Sequence, residues 1–103
     1  MYKLEYLPIA KKDIDKIIYY ISNDLNNQSA AKKMAKCFID SSNKILEFPY
    51  GLSTYNPMKT LKNEYRCFKI KNYLMFYTIN EKSKTITIAR VLYKKMNIKN
   101  ILE

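Results

Sequence analysis

Histidine and tryptophan are absent from this 103-residue chain, and cysteine occurs only twice. Without histidine there is no imidazole to move protons near neutral pH or to bind a metal. Cys37 and Cys67 lie far apart, one in a helical pattern and one in a strand pattern, and form no C-x-x-C or Cys/His cluster. They read as two reduced, buried thiols, and neither metal nor cofactor is expected. Long apolar runs are missing too: the longest is about five residues, against roughly 18 to 20 for a membrane span. The opening Met1-Tyr2-Lys3-Leu4-Glu5 has no signal-peptide architecture. A soluble cytoplasmic protein with no membrane partner is the expectation. Acidic residues are scarce, 9 against 19 Lys and Arg, for a net charge of +10. The imbalance is local: residues 1–58 carry +2 and residues 59–103 carry +8. Such a field favours an acidic protein partner or a phosphate backbone, with salt-sensitive binding; a solvated lysine surface is the plain alternative.

What is present suffices for one domain, spanning 1–103, with 48% hydrophobic residues. Tyr2 to Leu7 alternates polar and apolar and reads as an edge strand, which Pro8 stops while opening a helix. Ala10, Ile14, Ile17, Ile18, Ile21 and Leu25 then draw one apolar stripe at helical spacing. Leu25-Asn26-Asn27-Gln28 breaks it, and Asn27 or Ser29 can cap a second helix. That helix carries Ala31, Met34, Ala35, Phe38, Ile45 and Leu46 and ends before Phe48-Pro49. The short break makes the pair a helical hairpin. Residues 49–64 read as a long loop. Tyr65–Ile70, Tyr73–Ile79 and Thr85–Leu92 are rich in aromatic and β-branched residues, separated by Lys71-Asn72 and by Asn80 to Lys84: two hairpins, with Asn72 at positive φ in the first turn. The tail after Lys94 can form a last short helix. The outcome is a two-layer α+β domain ordered β-α-α-β-β-β, with the helices on one face of the sheet.

The order of elements resembles the RelE/ParE superfamily, the toxin half of bacterial type II toxin-antitoxin pairs. The residues carrying the resemblance are Ala10 to Ile14 with Tyr20-Ile21, Ala30-Ala31, Phe48-Pro49, Tyr65-Arg66, Asn72 to Tyr77 and Ile88 to Tyr93. It implies a cytoplasmic toxin neutralised by a small antitoxin that is acidic or partly disordered. Members of the superfamily either cut mRNA in the ribosomal A site or bind DNA gyrase. Ribosome-dependent nucleases of the superfamily place an Arg in the central strand, just after its opening aromatic or His, where this chain has Leu74. The wording from Asn72 to Tyr77 looks more like the ParE branch, so a gyrase-type target is the first expectation. A ribosome-dependent mRNA endonuclease is the second, and a non-toxic nucleic-acid-binding module the third.

Metal-free RNA cleavage needs a base for the 2′-hydroxyl, cations around the phosphorane and an acid for the leaving oxygen. The candidates are Arg66, Arg90 and Tyr93, with Lys59, Lys62, Lys69 and Lys71 as phosphate or target contacts and Glu64 as the nearest carboxylate. Each has a structural alternative. Arg66 alternates with Phe68 and Ile70 and can pair with a helix carboxylate at a strand end; Arg90 shares the parity of Ile86 and Ile88 and can pair with Asp13. Tyr93 is one of ten tyrosines, most of which must pack. Leu74 and Phe76 either lie under the loop and tail as second-face core or form an open groove for the antitoxin, and the groove is the expectation.

Overall fold

The computed structural model describes residues 1–51 and 65–102. In chain order it contains β1 (Lys3–Tyr6), α1 (Pro8–Tyr19), a π-helical turn (Tyr20–Asp24), α2 (Gln28–Glu47), β2 (Arg66–Ile70), β3 (Tyr73–Asn80), β4 (Thr85–Tyr93) and α3 (Ile98–Leu102). The four strands form one sheet in the order β1-β4-β3-β2, and α1 and α2 lie on one side of it. The α+β architecture expected from the sequence is the one observed. β1 is an edge strand, paired parallel to β4 from Lys3↔Thr85 to Tyr6↔Ile88, while β2-β3 and β3-β4 pair antiparallel.

Local chemistry explains most boundaries. Pro8 fills the first turn of α1, where a missing N–H is harmless, and Leu7 before it offers no side-chain cap. Asn26 takes φ 50° to reverse the chain, and Asn27 caps α2 by accepting from the Ala30 N–H at 3.0 Å. In the β2-β3 turn the left-handed residue is Lys71 (φ 54°) rather than the expected Asn72; Lys84 (φ 52°) does the same before β4.

The main core lies between helices and sheet. Ala10, Ala31, Met34, Phe38 and Ile45 from the helices meet Met75, Tyr77, Ile86, Ile88 and Val91 from the strands. Leu25, counted in the helical stripe, is exposed because the π-helical turn intervenes between it and α1. Buried polar groups find partners: Tyr77 donates to the Pro49 carbonyl at 3.0 Å, Ser42 donates to the Phe38 carbonyl at 3.0 Å, and the Tyr6 hydroxyl meets Ser42 Oγ, tying β1 to α2.

A second, smaller core occupies the other face. Phe76 and Leu92 are buried there beneath Ile98 of α3, with Leu74, Cys67, Ile101 and Leu102 packed around them. The open groove expected at Leu74 and Phe76 is therefore filled by the chain's own C-terminal helix.

Candidate functional site

The bulge in β4 decides where the charged side chains go. Phe76 pairs with Arg90 but Tyr77 pairs with Ile88, so Ala89 is an extra residue. An inserted residue reverses the inside-outside alternation beyond it. Val91 therefore continues the helix-side face of Ile86 and Ile88, while Leu92 joins the opposite core. The expectation that Arg90 simply continues the Ile86-Ile88 face is corrected by that insertion.

β1 ends at Tyr6, with the Leu7 N–H donating to the Ile88 carbonyl at 3.0 Å, and beyond this point β4 has no strand on that side. Asp13 of α1 takes the vacant place. Its carboxylate accepts from Arg90 Nε at 2.7 Å, Arg90 Nη2 at 2.9 Å and the Val91 N–H at 3.0 Å. The bidentate fork matches guanidinium to carboxylate geometry, and the third bond satisfies an edge amide that would otherwise be buried alone. Hydrogen bonding to Asp13 raises the Arg90 pKa against a smaller opposing effect of burial. Of the two readings open for Arg90, the Asp13 pair is the one the structure contains.

Arg66 opens β2 opposite Tyr77, across β3 from Arg90. Its guanidinium carbon sits 4.9 Å over the Tyr50 ring, within cation–π range. The Tyr50 hydroxyl in turn donates to Glu81, as does Tyr2 at 2.6 Å, and Lys84 Nζ lies 2.7 Å from the same carboxylate. Those three donors, Lys84 first, hold the Glu81 pKa at about 2, and Glu81 pushes Tyr50 up to about 12. Glu81 thus gathers Tyr2 just before β1, the turn after α2 and the β3-β4 hairpin. Neither Tyr50 nor Glu81 stands out in the sequence, because the contact spans segments 31 residues apart with no local pattern. Arg66, Tyr50, Glu81, Thr78 and Asn80 line a hollow of about 590 Å³.

Tyr93 closes β4 at the far end of the sheet, opposite Tyr73, its ring edge-on to Tyr73 with centroids 5.9 Å apart. Since Arg66 registers with Tyr77 and Tyr93 with Tyr73, the two are separated by four positions along β3, about 13 Å of strand, and by the width of β3 besides. Lys69 pairs with Leu74 and is exposed, and Lys71 is exposed in the turn beyond it. Lys59, Lys62 and Glu64 lie outside the described residues. Burial pushes the Cys67 thiol up to about 11, which keeps it protonated and a poor nucleophile at neutral pH. Among the described residues, no group of three or more Cys, Asp or Glu is placed to hold a metal, and no helix is long and apolar enough to cross a membrane.

This fold is that of RelE/ParE toxins. The chain matches the chromosomal ParDE system from P. aeruginosa (TM-score 0.73, 15% identity, covering 90% of this chain and 96% of that one). It also matches the archaeal RelE-RelB complex from Pyrococcus horikoshii (TM-score 0.62, 12% identity, 91% and 96%) and the intact E. coli RelBE toxin-antitoxin complex (TM-score 0.57, 13% identity, 93% and 100%). At these identities the likeness is one of fold. No curated protein matches the chain in sequence. The model of the family described as "ParE toxin of type II toxin-antitoxin system, parDE" matches residues 4–98, and the chain belongs to that family. It is a toxin of a type II toxin-antitoxin system.

Proposed function

We propose that this toxin arrests growth by binding a macromolecular target of the DNA gyrase type, and that a cognate antitoxin, acidic or partly disordered, holds it inactive in the cytoplasm. One observation carries the choice of binding over RNA cleavage: Arg66, Arg90 and Tyr93 do not converge. In-line cleavage asks its base, its acid and its cations to meet around one phosphate within hydrogen-bond reach. Here Arg90 is held by Asp13, Arg66 sits over Tyr50 beside the middle of β3, and Tyr93 stands four positions away at the start of β3, across the strand from Arg66. The central strand carries Leu74 and no arginine.

Partner choice follows from charge. The chain carries +10, concentrated from residue 59 onward, which suits an acidic antitoxin and makes association fast and salt-sensitive. All three similar structures are named as toxin-antitoxin systems or complexes. Lys69 and Lys71, with Lys59 and Lys62, are the proposed target contacts. Antitoxin docking at Leu74 and Phe76 requires α3 to give way, since Phe76 is fully buried beneath it.

The experiment is a gyrase assay with the purified toxin alongside mapping of mRNA ends after induction. Loss of supercoiling with uncut mRNA is expected, restored by co-expressed antitoxin. Intact supercoiling together with cuts at the ribosomal A site would replace this reading with the nuclease one.

A further inference from the structure

The sheet end farthest from Arg66 carries a hollow of about 600 Å³ between α1 and the β3-β4 pair. Ile17 and Leu25 give it an apolar lining, Lys16 a cation, and Tyr20, Tyr73 and Tyr93 three aromatic rings. Tyr20 is 48% exposed and Tyr93 39%, so these rings are presented to solvent and not absorbed into the core. The π-helical turn contributes to this: Ile21 remains buried while Tyr20 opens beside the hollow, and such widened turns are frequent at functional sites. Tyr73 and Tyr93 meet edge-on with ring centroids 5.9 Å apart, and Tyr20 lines the same hollow, so the three phenols lie together. None of the three donates to or accepts from another side chain among the described residues.

The function proposed above uses none of these groups. We propose that this hollow binds a nucleotide, its base against the tyrosine rings and its phosphate toward Lys16 and Lys94. Aromatic rings beside a cationic rim are the elements by which proteins hold single nucleotides, because every base has a π-face and every phosphate a charge. Lys94 follows Tyr93, and its N–H donates to the carbonyl of Asn72 in the lining at 2.9 Å, so it flanks the rim. No acidic residue lines the hollow among the described residues, which favours an anion over a cation. The volume falls within the roughly 300 to 1,000 Å³ typical of small-ligand sites and exceeds what one inserted amino-acid side chain needs. An extended peptide fits less well, because Tyr73 and Tyr93 are the paired terminal residues of β3 and β4. The hollow thus crosses the end of that strand pair and does not run along an edge, as strand addition would need.

The test titrates the purified toxin with AMP, adenosine, inorganic phosphate and a short single-stranded oligonucleotide by calorimetry. Saturable AMP binding, tighter than adenosine or phosphate alone, is expected. Tyr20→Leu should weaken AMP about fivefold or more, the loss of one stacking ring. Lys16→Glu should weaken AMP by about threefold or more while leaving adenosine unchanged. Both positions are on the surface, and circular dichroism checks that each variant folds. An oligonucleotide binding more tightly than AMP assigns the site to a strand; equal affinity assigns it to a free nucleotide. The proposal is overturned by no saturation at about 10 mM AMP. It is equally overturned by phosphate competing as well as AMP, or by folded Tyr20→Leu binding AMP like the wild type.

Discussion

The two faces of this sheet are buried by very different amounts of chain. On one, α1 and α2 bring Phe38, Ile45, Met34 and Ala10 down onto Met75, Tyr77 and Ile88. On the other, the five-residue α3 sets Ile98 over Phe76 and Leu92. The strand residues beneath are equally apolar, and both Met75 and Phe76 are completely buried. What differs is how much must unfold to expose them. Uncovering Met75 means detaching the helical hairpin, and with it the fold; among the described residues, the helix over Phe76 is a single short one, whose release belongs to the low end of the local-stability range. A partner can therefore gain apolar surface on the second face at little expense to the first.

Four variants probe that contrast. Phe38→Ala should be the most damaging, destabilising by about 3 to 5 kcal/mol in urea unfolding, because the cavity opens in the larger core where nothing can collapse into it. Asp13→Ala should follow at about 2 to 4 kcal/mol, leaving the Arg90 guanidinium and the Val91 N–H together without their acceptor. Arg90→Ala should cost less than Asp13→Ala, since it leaves the Val91 bond in place; the reverse order would mean that the pair's charge matters more than the edge amide.

Ile98→Ala should cost only about 1 to 2 kcal/mol, less than a buried Ile→Ala ordinarily does, because the loss is limited to the free energy of docking α3. Its sharper readout is Cys67. With its thiol pushed up to about 11 by burial, Cys67 should react slowly with iodoacetamide at pH 8 in the wild type and much faster in Ile98→Ala. Equal labelling rates would show that α3 does not control access to that face.

The smallest effect belongs to Glu81→Gln and is read from its pH and salt dependence. Glu81 has its pKa lowered from 4.5 to about 2 in the folded chain. A depressed carboxylate stabilises the fold above its unfolded value, and that contribution fades as pH falls from about 4.5 toward 2. The stability gap between wild type and Glu81→Gln should shrink over that window, and a constant gap would show that the carboxylate's charge is not what matters. Because Glu81 is solvent-exposed and Lys84 supplies much of the shift, the gap should also shrink with added salt.

Much of the architecture was legible before any coordinates. The stripe from Ala10 to Ile21, the Asn27 cap, Pro8 at a helix start and the three β-rich runs each state a local preference that the fold keeps. Site residues were less legible, for a reason visible at Ala89. Parity arguments assume an unbroken strand, and one inserted residue sends Val91 to the face on which alternation had put Arg90. Tyr50 and Glu81 were invisible because no periodicity links residues 31 apart in different elements.

The residues alone decided the element order, the helix-covered face and the basic second half of the chain, since these rest on side-chain period, capping and charge that each segment carries by itself. Only the assembled fold decided the rest. It ended β1 one residue before Leu7, leaving β4 an edge for Asp13 and Arg90 to close; it laid α3 over Phe76; and it set Arg66 and Tyr93 on opposite sides of β3, four positions apart. Those outcomes depend on which strands become neighbours and in what register, and register is a property of pairs that no single segment encodes.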